Sequence, residues 1–82
     1  MFNFGKALEE LKNGKKVARV GWNGKGMWLT IINSYNIDYS DINNDGSIGL
    51  HKFIGMKGAD NKLFPWNPNN LDMLAEDWCL VS

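Results

Sequence analysis

The sequence predicts an α+β fold, in which one N-terminal helix packs on a small antiparallel β-sheet. The spacing of apolar residues is helical over residues 4–13 and strand-like in several short runs after that. A chain of 82 residues has the size of one domain, so we expect a single unit over residues 1–82. A domain this small buries only about 60% of its unfolded surface, so association of several copies would add stability.

The predicted helix covers residues 4–13. Its apolar residues recur at the i, i+3, i+4, i+7 spacing that forms one stripe along a helix. They are Phe4, Ala7, Leu8 and Leu11. Asn3 is suited to cap the start, and Gly14 is suited to the left-handed position that ends a helix. The apolar stripe is predicted to pack against the sheet.

A β-hairpin is predicted over residues 16–32. Strand-forming runs at 17–20 and 27–32 flank Asn23-Gly24, and Asn and Gly adopt positive φ at low cost, as a short hairpin turn requires. The second run is apolar on both faces, which is typical of a central strand or of a strand at a subunit interface.

Further short strands are predicted after the hairpin. They cover residues 35–39, 52–57, 62–66 and 77–81. Pro65 and Pro68 flank Trp66 and are expected to stiffen the loop that presents this side chain. Asn70 is predicted to cap one helical turn that extends to Ala75.

The composition argues against several classes of protein. The net charge is zero, so general binding to DNA through phosphate contacts is not expected. No apolar run approaches the roughly 20 residues that cross a membrane, and no apolar signal sequence is evident near the N-terminus. The single cysteine, Cys79, cannot form an internal disulfide, which fits a reducing, intracellular setting.

One segment resembles the start of a calcium-binding loop. Residues 41–46 place oxygen ligands at positions 1, 3 and 5 and a glycine at position 6 of an EF-hand pattern. The pattern then requires a glutamate at position 12, where this chain has Lys52. We therefore expect an Asx-rich turn and no metal site.

The residues do not form a familiar active site. His51 is the only histidine, and the serines have no identifiable base. Asp72, Glu76 and Asp77 are close enough in sequence to supply a carboxylate pair, so a hydrolase that uses Asp72 or Asp77 stays an alternative. Three acids near a terminus are more often structural, and we expect neither enzymatic activity nor a cofactor.

The remaining chemistry favours a ligand-binding protein. Tryptophan faces stack on nucleobases for about 1–3 kcal/mol per base, asparagine can pair with an adenine edge, and cations meet phosphates. The candidate residues are Arg19, Trp22, Asn23, Lys25, Trp66 and Asn67, and both tryptophans lie on predicted loops. Carbohydrate and peptide sites also use tryptophan and asparagine, so these residues alone leave the ligand class open.

Two stretches resemble a known family. FGKALEELKNGKKVARVGWNGKGMWL is similar to the N-terminal signature of the phage-encoded Thoeris anti-defence proteins of the second type, and PWNPNNLDMLAEDW is similar to their C-terminal signature. The resemblance implies a sponge rather than an enzyme, active in the cytoplasm of the infected bacterium. Such proteins bind a TIR-derived cyclic ADP-ribose isomer (glycocyclic ADP-ribose) without cleaving it, as homo-oligomers that are typically tetramers.

The resemblance also directs the choice of ligand contacts. Trp22, Asn23 and Trp66 are the first candidates, Asp72 and Met73 come next, and Lys25 and Arg19 are the candidate phosphate partners. Two alternatives stay open. One is a protein-interaction inhibitor of a host defence component, and the other is a sponge for the cyclic oligonucleotides of the CBASS defence.

Overall fold

The molecule is described by a computed structural model of residues 1–22, 25–33 and 51–82. Its elements are α1 (Phe4–Lys12), β1 (Lys16–Arg19), β2 (Trp28–Ile32), β3 (Phe53–Lys57), β4 (Leu63–Pro65), α2 (Asn70–Leu74) and β5 (Trp78–Val81). The five strands form one sheet in the order β4-β3-β2-β1-β5, and each neighbouring pair is antiparallel. The predicted α+β class is confirmed.

Helix α1 begins and ends at the residues that its sequence favours. The Asn3 side chain accepts a hydrogen bond from the backbone N–H of Lys6 at 2.9 Å, which satisfies one of the free donors of the first turn. After the last turn Gly14 has φ +82°, a left-handed conformation that costs glycine little. The helix ends at Lys12, one residue before the predicted end.

The core lies between α1 and one face of the sheet. Ala7 and Leu11 of the helix stripe are buried, as predicted. The buried apolar cluster comprises Ala7, Leu11, Val17, Leu29, Met56 and Trp78. Val17 pairs with Leu29 on one side and with Leu80 on the other, so β1 joins the hairpin to the C-terminal strand. Strand β2 lies at the centre of the sheet, in agreement with its apolar sequence.

The connection between β1 and β2 is longer than a two-residue turn. Strand β1 ends at Arg19 and β2 begins at Trp28, so each predicted arm extended one residue too far toward the turn. Gly21 and Gly26, with φ +99° and +71°, reverse the chain on either side of Trp22. The Trp22 carbonyl accepts hydrogen bonds from the backbone N–H groups of Lys25 and Met27, at 2.8 and 3.2 Å.

Three sequence predictions concern residues outside the described ranges. They are the Asn23-Gly24 turn, the strand over 35–39 and the Asx-rich turn that begins at residue 41. The strands predicted over 52–57, 62–66 and 77–81 correspond to β3, β4 and β5. No helix within the described ranges has the length and apolar character needed to cross a membrane.

Helix α2 is capped by Asn69 rather than by Asn70, the predicted cap. The Asn69 side chain accepts a hydrogen bond from the backbone N–H of Asp72 at 2.9 Å. The Asp72 carboxylate accepts one in return from the backbone N–H of Asn69 at 3.0 Å, which completes a capping box. The Asn-x-x-Asp spacing therefore sets the start of this helix one residue earlier than predicted.

Candidate ligand-binding site

The two loops that carry the predicted tryptophans bring the rings of these residues into contact. The ring centroids of Trp22 and Trp66 lie 6.1 Å apart with an interplanar angle of 78°, an edge-to-face arrangement. Both side chains are partly buried against the core, so each combines a packing surface with a surface open to solvent. Trp22 and Trp66 are 44 residues apart in the sequence, and no sequence pattern predicted their contact.

Trp78 lies beneath this pair and contacts both rings. Its centroid is 5.3 Å from that of Trp22 and 6.1 Å from that of Trp66, each at an interplanar angle of 81°. Phe4 of α1 packs against Trp78 at 5.5 Å. The indole N–H of Trp78 donates to the backbone carbonyl of Asp72 at 3.0 Å, so the fully buried ring is fixed in orientation as well as in position.

Arg19 lies at the end of β1 and forms two ion pairs within the chain. Its Nε donates to Asp77 Oδ1 at 3.0 Å, and its Nη1 donates to Asp72 Oδ1 at 3.2 Å. The hydrogen bond to Asp77, with that to Asp72, raises the pKa of Arg19 above its ordinary value, although partial burial acts in the opposite direction. Arg19 is therefore a permanent cation held between two carboxylates.

Asp72 is the buried carboxylate of this group. One oxygen accepts from the Asn69 backbone N–H, the other accepts from Arg19, and its backbone carbonyl accepts from Trp78. The sequence reasoning proposed Asp72 and Arg19 as separate ligand contacts and missed that they pair. One signal was available, because the only arginine and a short acidic segment are natural partners in a chain of zero net charge.

The other predicted contacts lie nearer the surface. Lys25 is exposed one turn after Trp22, and within the described ranges no carboxylate pairs with its ammonium group. Met73 follows Asp72 on α2 and is 45% exposed. Asn23 lies outside the described ranges. We define the candidate site as Trp22 and Trp66, whose rings meet, and the ion-paired Arg19 and Asp72. Lys25 and Met73 are included for their exposure and their place in the sequence.

A separate cavity of about 490 Å³ lies between the C-terminal end of α1 and strands β2 and β3. Leu11, Ile31 and Ile54 contribute apolar lining, and Lys12 and Lys52 contribute basic lining. None of the predicted ligand contacts lines it. The described residues contain no group of three His, Cys, Asp or Glu side chains placed to hold a metal ion.

Comparison with known proteins gives one consistent result. The family model of the Thoeris anti-defense 2-like domain matches residues 2–81. A curated relative from Bacillus phage SP01, named Thoeris anti-defense 2, is 43% identical over 86 residues, which cover 98% of this chain and 94% of the relative. The matched span contains both signature stretches and every residue of the candidate site.

Proposed function

This chain belongs to the Thoeris anti-defense 2-like family, and from that premise we propose that it counters the defence as a sponge. Family membership supports a phage role against Thoeris. In the proposed mechanism the protein binds a TIR-derived cyclic ADP-ribose isomer in the cytoplasm of the infected bacterium and withholds it, uncleaved, from the Thoeris effector.

The observation that carries the proposal is the meeting of Trp22 and Trp66 at one partly exposed surface. Such a ligand has one adenine, two riboses and a pyrophosphate. An indole face stacks on a nucleobase for about 1–3 kcal/mol. The exposed ammonium group of Lys25, in the same loop as Trp22, is the cation proposed to meet the pyrophosphate.

The state of the carboxylates favours binding without cleavage. Asp72 is buried and already accepts hydrogen bonds from Arg19 and from the Asn69 backbone. Asp77 is paired with the same guanidinium. General acid–base catalysis needs a group that exchanges a proton with the substrate, and a carboxylate fixed by an arginine is poorly placed for that exchange. We therefore propose that the protein binds the signal and does not act on it as an enzyme.

The surface around the site favours assembly of several copies. Leu71 and Leu74 on α2 are 73% and 81% exposed, and Met73 beside them contributes further apolar surface. Exposed apolar side chains grouped on one short helix are typical of a contact surface. We propose a homotetramer in which a neighbouring protomer covers this surface and deepens the site, because tight ligand binding requires a concave pocket.

Titration calorimetry with purified cyclic ADP-ribose isomers tests the sponge. The proposal predicts saturable binding, and chromatography after heating the complex should then recover the ligand unchanged. Recovery of an altered product would instead indicate a hydrolase and direct attention to Asp72 and Asp77. Absence of binding to every isomer would contradict the proposal and favour CBASS cyclic oligonucleotides or a host protein as the target.

A further inference from the structure

We propose that Arg19 and Asp72 are positioning residues, whose ion pair fixes α2 and Trp78 and thereby sets the angle at which Trp22 and Trp66 meet the ligand. The inference rests on the proposed function, because it concerns how that binding surface is shaped. In this proposal the Arg19–Asp72 ion pair holds the site in shape, and Lys25 is the cation that contacts the pyrophosphate.

Asp72 connects three elements of the fold, which are the start of α2, the end of β1 and the start of β5. Its carboxylate binds the N-cap of α2 at Asn69 and the end of β1 at Arg19, and its backbone carbonyl receives the indole N–H of Trp78 at the start of β5. A change in the position of Asp72 therefore moves the helix and the buried ring together.

Trp78 in turn contacts both partly exposed tryptophans. Trp22 and Trp66 each rest edge-to-face on Trp78, at centroid distances of 5.3 and 6.1 Å. Such ring pairs depend on angle as well as on distance, because the ring quadrupoles favour particular orientations. A rotated Trp78 would consequently alter the angle between the two outer rings, on which stacking of a flat base depends.

The charges around Arg19 do not favour a contact with phosphate. One guanidinium lies between two carboxylates, at 3.0 Å from Asp77 and 3.2 Å from Asp72. This group of three carries a net charge of −1 when both acids are ionised, so it repels a pyrophosphate rather than attracting it. The Lys25 side chain is basic and exposed, and no carboxylate among the described residues pairs with it.

Salt dependence separates a positioning residue from a phosphate contact. A direct contact between Lys25 and a phosphate weakens as the Debye length falls from about 30 Å at 0.01 M salt to about 10 Å at 0.1 M. The experiment measures calorimetric affinity for the cyclic ADP-ribose isomer at these two salt concentrations. The variants are Arg19→Gln, Asp72→Asn and Lys25→Gln, with Lys62→Gln in the turn before β4 as the control for loss of an exposed charge.

The inference predicts a different pattern for each role. Arg19→Gln and Asp72→Asn should weaken binding about tenfold at both salt concentrations and keep the salt dependence of the wild-type protein. Lys25→Gln should weaken binding mainly at low salt and flatten the dependence. Lys62→Gln should bind as the wild type does. A flattened dependence in Arg19→Gln would show that Arg19 contacts phosphate and would overturn the inference.

Near-ultraviolet circular dichroism supplies a readout that does not need the ligand. The coupled indoles of Trp22, Trp66 and Trp78 should give a signal that changes in Arg19→Gln and Asp72→Asn and persists in the Lys62→Gln control. Far-ultraviolet spectra confirm that each variant is folded. An unchanged indole signal in folded Asp72→Asn would contradict the inference, even if the wild-type protein bound no isomer and the proposed function had failed.

Arg19→Lys serves if the glutamine variant does not fold. Lysine keeps the positive charge but lacks the planar fork that reaches two carboxylates at once. A positioning role predicts a loss of affinity in Arg19→Lys together with an altered indole signal. A role as phosphate contact predicts an unchanged indole signal in Arg19→Lys, and that result would contradict the inference.

Discussion

The candidate site has two layers that differ in how their polar groups are used. The inner layer consists of Arg19, Asp72 and Trp78, whose polar atoms form hydrogen bonds within the chain. The outer layer, which consists of Trp22, Lys25, Trp66 and Met73, leaves part of each side chain open to solvent. Residue type alone therefore does not identify a ligand contact. Arg19 and Lys25 were equal candidates in the sequence, and only their partners distinguish them.

The largest effect is expected from removing the ring at the centre of the inner layer. Trp78→Ala should lower the free energy of unfolding by about 3–5 kcal/mol, because a fully buried aromatic side chain leaves a cavity. Urea denaturation followed by far-ultraviolet circular dichroism measures the loss. A change below about 1 kcal/mol would contradict the central place given to Trp78.

A smaller loss of stability is expected from Asp72→Ala. The substitution removes the carboxylate half of the capping box and leaves Arg19 with one carboxylate partner, while the Asn69 cap remains. Loss of a hydrogen bond to a charged group costs about 1.5–3 kcal/mol. Asp60→Ala, which removes an exposed turn carboxylate, is the matched control. Equal urea midpoints for the two variants would show that the Asp72 contacts contribute nothing particular to stability.

In the outer layer, Trp22→Ala should act mainly on binding. If Trp22 stacks on the adenine, its loss weakens affinity for the cyclic ADP-ribose isomer by about 1–3 kcal/mol. Size-exclusion chromatography with light scattering should show the same assembly as for the wild-type protein. Unchanged affinity in a folded variant would remove Trp22 from the site.

The smallest effect is expected from Lys25→Gln. An exposed charge pair contributes about 0.2–1 kcal/mol, so affinity at low salt should fall by a factor of about 1.4 to 5. Thermal denaturation should show no change in stability, since the Lys25 side chain is exposed. If the variant lost thermal stability but kept its affinity for the ligand, Lys25 would belong to the inner layer instead.

The fold could be predicted from local patterns, whereas the support of the site could not. The helix stripe and the caps at Asn3 and Gly14 act over a few residues, and the structure confirms them. The Arg19 ion pairs span 53 and 58 residues of sequence, and their formation depends on β5 returning beside β1. No short-range pattern encodes that return.

The turn-side ends of the hairpin were also beyond local reasoning. Asn23-Gly24 dominated the turn prediction, but Gly21 and Gly26 at positive φ already take the chain out of the strands. Trp22 consequently lies outside the strands, and its carbonyl accepts hydrogen bonds from the backbone N–H groups of Lys25 and Met27. The Trp22 ring packs on Trp78 and keeps part of its surface exposed.

The most direct test of the sponge uses a purified Thoeris effector activated by its cyclic ADP-ribose signal. Adding this protein in amounts matching the signal should abolish effector activity, and heating followed by removal of denatured protein should return the signal and restore activity. Persistent activity would contradict sequestration. Lost activity that heating does not restore would contradict binding without cleavage.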